Sequence, residues 1–184
     1  MAIHQKKMVF SGFGGQGILV LAEVVATITM KKGNHVTWMP SYGAEMRGGT
    51  ANCAVIMSES LIGSPIVQSN IDILTAMNKP SVDKFLPKVR PGGLVLVNAS
   101  IVTEDIRKIR SDVDILEIDA TNIAVEIGNP RVANMVMLAG FLEKTGLFTL
   151  EDITEVLHER FSGARSKDLI PLNLKAIERG MQKK

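Results

Sequence analysis

From Ser11 to Gly17 the chain reads Ser11-Gly12-Phe13-Gly14-Gly15-Gln16-Gly17, which sets Gly12, Gly14 and Gly17 in the spacing G-x-G-x-x-G. The chemistry this spacing suits is anion binding. Glycines permit positive φ and close approach of a ligand to backbone, and a helix starting just beyond them offers unpaired N–H groups and a partial positive charge. Gly12, Gly14, Gly15, Gln16 and Gly17 are therefore candidate cofactor-binding residues for a phosphate-bearing ligand. The same glycines equally suit a tight turn and close packing of a helix on a sheet. A dinucleotide site further requires an acidic residue at the end of the next strand to hold a ribose hydroxyl. Met39-Pro40-Ser41 stands there instead, which speaks against NAD.

A second cluster runs from Ser41 to Thr50 and contains Tyr42, Glu45, Arg47, Gly48, Gly49 and Thr50. If the first two strands are parallel, it leaves the sheet at the same end as the first glycine cluster, where open α/β sheets bind ligands. Arg47 has the chemistry to grip a carboxylate or phosphate, at about 1.5 to 3 kcal/mol for a charged hydrogen bond. Glu45 can instead neutralise it, leaving a local pair that shapes the loop or fits a subunit interface. Tyr42, Glu45, Arg47, Gly48, Gly49 and Thr50 are thus candidates for a substrate or subunit-interface loop, with both readings open.

Other residues point to structure. Cys53, the only cysteine, sits on an expected buried strand and reads as a small inert hydrophobe. One cysteine excludes an internal disulfide and an iron–sulfur cluster held by four thiolates. His4, His35 and His158 lack metal-ligand spacing, so no metal site is expected. Trp38 and Tyr42 flank Pro40, and core packing explains Trp38 at least as well as an aromatic wall. Asn129-Pro130-Arg131 with Asn134 reads as a helix start with a cap and a proline.

The elements that must position these groups alternate. Strands are expected at Lys7–Ser11, His35–Met39, Ala51–Ser58, Ile71–Met77, Gly93–Asn98 and Ile115–Asp119, the fifth introduced by a Pro91-Gly92-Gly93 turn. Helices are expected from after Gly17 to about Lys32, at Pro80–Lys88 and Asn122–Ile127, and then at Arg131–Thr145, Leu150–Phe161 and Ser166–Met181. The opening strand, helix and strand read as a βαβ unit. This order predicts a single three-layer α/β/α domain over residues 1–184 with a mostly parallel sheet and a helical C-terminal region from about residue 131.

At 184 residues one domain is the default. The net charge of +2 gives no support to nucleic-acid binding. A mean hydropathy of +0.18 with ten methionines points to a large core or a subunit interface. The longest apolar stretches are too short to span a membrane, and the N-terminal residues do not resemble a secretory signal, so a cytoplasmic location is expected.

Taken together, Ser11 to Gly17, the run Tyr42-Gly43-Ala44-Glu45-Met46-Arg47-Gly48-Gly49-Thr50-Ala51-Asn52, then Gly63-Ser64-Pro65-Ile66 and Asn129-Pro130-Arg131 closely resemble the γ subunits of 2-oxoacid:ferredoxin oxidoreductases. The likeness runs from the first strand to about Arg165. It implies the α/β fold of the third domain of pyruvate–ferredoxin oxidoreductase, and oxidative decarboxylation of a 2-oxoacid with coenzyme A as acyl acceptor and ferredoxin as electron acceptor. It further implies a complex with α, β and δ subunits that uses thiamine diphosphate, magnesium, iron–sulfur clusters and coenzyme A. In that family the thiamine lies between α and β subunits and the clusters in β or δ. This chain has neither a Gly-Asp-Gly diphosphate motif nor cysteine sets, so the resemblance implies no catalytic residue here and an isolated chain without activity. Ser11-Gly12-Phe13 and Ser41-Tyr42-Gly43 look more like the 2-oxoglutarate or branched-chain types than the pyruvate type, with 2-oxoglutarate favoured. The alternatives are a stand-alone nucleotide-binding α/β protein and the small subunit of an indolepyruvate oxidoreductase.

Overall fold

The structure is a computed structural model that describes residues 5–42, 50–161 and 169–182. Six strands, β1 (Lys6–Phe13), β2 (His35–Tyr42), β3 (Thr50–Ser58), β4 (Ile71–Ala76), β5 (Val89–Asn98) and β6 (Asp114–Ile118), form one sheet in the order β2-β3-β1-β4-β5-β6. Six helices accompany them: α1 (Ile18–Lys31), α2 (Lys79–Phe85), α3 (Ala120–Ile127), α4 (Ala133–Thr145), α5 (Leu150–Arg160) and α6 (Leu169–Gln182).

All strands run parallel except β3, which is antiparallel to both β1 and β2. The connection from Tyr42 to Thr50 explains this. It is shorter than the dozen or more residues a parallel crossover requires, so β3 must turn back beside β2. The expected βαβ unit is thereby modified: β1 and β2 are parallel, but β3 lies between them. From β1 the chain winds one way through α1 and, from β4, the other way through α2. The boundary between β1 and β4 is the point where the winding direction reverses.

Two cores sandwich the sheet. Met8, Phe10, Cys53, Val55 and Met57 pack beneath α1 and α3 to α6, while Val9, Leu74, Ala76, Val95 and Val97 pack against α2 and the short helical turns at Leu86–Lys88 and Ile106–Lys108. Consecutive burial of Met8, Val9 and Phe10 marks β1 as a central strand covered on both faces.

Two further expectations need correction. Trp38 is not a core residue; it lies on the edge strand β2 and is 41% exposed. Pro40 sits in the same strand, and an edge strand is where a sheet tolerates proline. Pro91-Gly92-Gly93 does not introduce β5 but lies inside it, as an irregularity where pairing with β4 jumps from Ile71↔Val89 to Ile73↔Leu94. Gly92, at φ 69°, there donates its N–H to the Asp112 carbonyl at 2.7 Å. Among the described residues, no helix is long and apolar enough to cross a membrane.

Candidate functional site

β1 ends at Phe13 and α1 begins at Ile18, so residues 14–17 must reverse the chain direction within four positions. They do so through a turn in which the Gln16 N–H donates to the Phe13 carbonyl at 3.1 Å. Gly15, third in that turn, has φ 97°, and Gly17 has φ 72° as the residue preceding the helix. Both positions favour glycine for backbone reasons alone. Gly12 is different: it is buried in β1, and an added Cβ would lie 2.8 Å from Ile18 Cγ1 and 3.0 Å from Met77 Cβ. Its smallness serves helix-on-sheet packing. Gly14 and Gly15 are exposed at the turn's tip.

A cavity of about 240 Å³ opens beside this turn, lined by Phe13, Gly14, Gly15, Gly17, Ile18, Leu19, Val20 and Ala51. None of these residues carries a titratable side chain. The first helical hydrogen bond runs from the Leu21 N–H to the Gly17 carbonyl at 3.1 Å, so the N–H groups of Ile18, Leu19 and Val20 have no intrahelical acceptor. The polar recognition available on this wall is therefore backbone N–H at a helix N-terminus, suited to an anion.

The second loop leaves the sheet at the same end, since β1 and β2 are parallel. Phe13 pairs with Thr50, and Tyr42 pairs with Ala51, so the finish of the second loop lies next to the end of β1 and its start one strand further out. Glu45, Arg47, Gly48 and Gly49, and the Tyr42 side chain, lie outside the described residues. The structure thus brings the finish of the second loop to the first glycine turn.

Polar side chains hold the turn from beneath. Gln16 Oε1 accepts the Phe13 N–H at 2.7 Å and an Asn78 Nδ2 hydrogen at 3.3 Å. Asn78 is buried just after β4, where its Oδ1 caps α2 by accepting from the Ser81 N–H at 2.9 Å and the Ser81 hydroxyl at 2.7 Å. Ser11 in β1 donates to the Ser81 hydroxyl at 2.9 Å. On the opposite side, Asn134 Nδ2 donates to the Gly17 carbonyl at 3.1 Å.

Sequence reasoning misses Asn78 and Asn134 as parts of the site. Asn78 carries a helix-cap signal, since Pro80 follows at the first turn. Asn134 carries none. It does not cap a helix; Asn129 does that, accepting the Arg131 N–H at 3.0 Å. Cys53 is fully buried, and burial pushes its thiol up to about 12, against a weaker opposing hydrogen bond involving the Met39 backbone. That matches an inert thiol.

Residues 7–183 match the family model described as pyruvate ferredoxin/flavodoxin oxidoreductase. The chain belongs to this family. Similar family members include the ketoisovalerate oxidoreductase subunit VorA of Methanothermobacter marburgensis, 37% identical over 96% of this chain, and the 2-oxoglutarate synthase subunit KorC of Methanocaldococcus jannaschii, 32% identical over 90% of this chain. The match covers 89% of KorC but 36% of VorA, so the chain spans about a third of the length of that relative.

Among solved structures, the γ subunit of a keto/oxoacid ferredoxin oxidoreductase from Geobacter sulfurreducens superposes with TM-score 0.80 and 26% identity over 97% of both chains. The 2-oxoglutarate:ferredoxin oxidoreductase of Magnetococcus marinus gives TM-score 0.86 over 96% of this chain and 30% of its own, and at 22% identity shows the shared fold. The resemblance to γ subunits therefore holds, and the relatives are subunits of oxidoreductases. The preference for 2-oxoglutarate is not settled by them, since ketoisovalerate and 2-oxoglutarate types both match.

Proposed function

We propose that this chain is the γ-type subunit of a cytoplasmic, thiamine-dependent 2-oxoacid:ferredoxin oxidoreductase, with α, β and δ subunits as partners. In this reading the chain performs no bond-breaking step. Its two glycine-rich loops, the first with Gly14, Gly15, Gln16 and Gly17 beyond the buried Gly12 and the second with Tyr42, Glu45, Arg47, Gly48, Gly49 and Thr50, face the partner subunits and help form the entrance for coenzyme A or the 2-oxoacid. The complex supplies thiamine diphosphate, magnesium and iron–sulfur clusters from its other chains.

The observation that supports this reading is the Phe13↔Thr50 pairing, in which β3 starts, at the close of the second loop, beside the end of β1 and a helix N-terminus suited to an anion. A branched-chain 2-oxoacid is the first candidate substrate, supported by the 37% identity to a ketoisovalerate oxidoreductase subunit. 2-Oxoglutarate is the second, supported by a KorC relative whose length the match nearly spans.

A stand-alone dinucleotide-binding protein is disfavoured. β2 carries no acidic residue at its end and is separated from β1 by β3, so among the described residues the next strand offers no ribose anchor to the glycine turn. The test is co-expression with neighbouring gene products, purification, and a coenzyme A-dependent assay with ketoisovalerate, 2-oxoglutarate, indolepyruvate and pyruvate, using viologen as acceptor. Viologen reduction by a co-purified complex supports the reading, and the best substrate identifies the type. A chain that copurifies with no thiamine enzyme and binds NAD in calorimetry overturns it.

A further inference from the structure

We propose that Gln16 acts as an internal brace that sets the shape of the glycine turn, with Asn78 as its anchor, and that its side chain is a positioning group rather than a ligand contact. The proposal concerns the same turn as the proposed function and rests on that reading for its effect on activity.

Three observations converge on it. First, Gln16 closes on Phe13 twice: its backbone N–H donates to the Phe13 carbonyl at 3.1 Å, and its side-chain oxygen accepts the Phe13 N–H at 2.7 Å. The second bond satisfies a strand-end donor and holds the turn closed across Gly14 and Gly15, the residues with least conformational restraint. Second, the Gln16 oxygen also accepts from Asn78, which is 1% exposed and fixed by its cap bonds to Ser81. Ser81 is tied in turn to Ser11 of β1, so the chain of bonds returns to the strand from which the turn departs. Third, these side chains occupy the boundary between β1 and β4, where the winding reverses. Open α/β sheets commonly admit ligands at such a crevice. Here Gln16 and Asn78 bridge it with the chain's own atoms. Ligand contact is left to the exposed tip at Gly14 and Gly15 and to the N-terminus of α1.

Substitutions separate a brace from a ligand contact. Gln16→Met removes the acceptor while keeping similar length and flexibility. Gln16→Glu keeps the acceptor and adds a negative charge. Asn78→Asp keeps the cap on Ser81 but loses the donor to Gln16. Amide hydrogen exchange at positions 13 and 16, the two hydrogen-bonded amides of the turn, is measured in the full isolated chain, so this arm is independent of any partner subunit.

The brace predicts that exchange speeds by about tenfold in Gln16→Met and rises at the same amides in Asn78→Asp, while Gln16→Glu stays protected. In the reconstituted complex it predicts that Gln16→Met raises KM for coenzyme A or the 2-oxoacid several-fold more than it lowers kcat. A side chain contacting an anionic ligand predicts the reverse order, with Gln16→Glu the most damaging for KM and exchange unaffected by Gln16→Met. Unchanged exchange in Gln16→Met overturns the proposal. Faster exchange without a functional complex leaves the brace standing and tells against the proposed function instead.

Discussion

Asn134, the second residue of α4, donates from its side chain to the Gly17 carbonyl at 3.1 Å, joining the start of α4 to the start of α1 across 117 positions of sequence. An added Cβ at Gly17 would lie 2.8 Å from Asn134 Cγ, and Gly17 holds φ 72°. The two residues therefore fit only as glycine and a close-packed amide.

Gly17→Ala is expected to destabilise the fold by about 1 to 3 kcal/mol, because it combines a left-handed backbone with a collision. Asn134→Ala is expected to cost about 1 kcal/mol, since the Gly17 carbonyl keeps the Leu21 N–H as a partner. The double variant should lose less than the sum, because removing the Asn134 side chain relieves the collision but not the backbone strain. Urea denaturation of the three variants checks this, and strict additivity would show that the pair does not interact.

Much of the scaffold is legible in the sequence because burial leaves a simple mark. The aliphatic runs in β1, β4 and β5, the stop at Gly33-Asn34 and the Gly128-Asn129-Pro130 break all occur in the structure. The reversal of β3 follows from the shortness of the connection before it. What the sequence does not disclose depends on distant partners: Asn78 meets Gln16 across 62 positions and Asn134 meets Gly17 across 117, and no local pattern encodes either contact. Trp38 misleads because an aromatic in a strand looks the same at an edge as in a centre, although Pro40 in the same strand is the available clue. The glycine motif itself is visible, but only the backbone angles and neighbours divide it into a packing position, Gly12, and turn positions, Gly15 and Gly17.

Gly180 and Gly140 test how tightly the helical layer is packed. A Cβ at Gly180 would meet Ala139 Cβ at 2.7 Å and the Val136 carbonyl oxygen at 3.0 Å, where α6 crosses α4. Neither atom can move without shifting a helix. Gly180→Ala should therefore lower stability by about 1 to 2 kcal/mol, overpacking outweighing the gain in helix propensity. At Gly140 the collision is with the tip of the Ile118 side chain, which can rotate. Gly140→Ala should melt closer to the parent, and thermal unfolding of both variants checks the order.

Cys53 should resist alkylation in the native state. Burial raises its thiol to about 12, so almost no thiolate exists near neutral pH, and the sulfur is fully buried. Iodoacetamide labelling followed by mass spectrometry should be at least about tenfold slower for folded than for urea-unfolded protein. Folding favours the protonated thiol, so its stabilising contribution is full below the ordinary thiol value of ~8.5 and declines as pH rises toward the folded value. Rapid native labelling at neutral pH would contradict the burial.

Asp152 provides the acid-side counterpart. Burial alone raises its carboxyl, but hydrogen bonds from Lys32 and from both the backbone and the side chain of Thr149 outweigh that, and the group is held below the usual carboxylate range. Geometrically it completes the α5 cap: Asp152 Oδ2 accepts the Thr149 N–H at 2.7 Å, Thr149 Oγ1 accepts the Asp152 N–H at 3.2 Å, and Lys32 Nζ lies 2.8 Å from the carboxylate. Because folding favours the ionised form, the stability it contributes is present above the unfolded value of ~3.9 and is lost as pH falls through the lower folded value. Asp152→Asn keeps an acceptor for the Thr149 N–H but removes the charge facing Lys32. It should be less stable than the parent at neutral pH, and the gap should narrow as pH falls below about 4. Thr149→Ala, which removes the other half of the cap and one of the hydrogen bonds that hold the Asp152 carboxyl down, should cost about 1 kcal/mol at neutral pH and less in acid, where that carboxyl is protonated. Denaturation midpoints across the acid range check both variants. A gap between the parent and Asp152→Asn that stays constant with pH would show that the Lys32 pairing contributes nothing to folding.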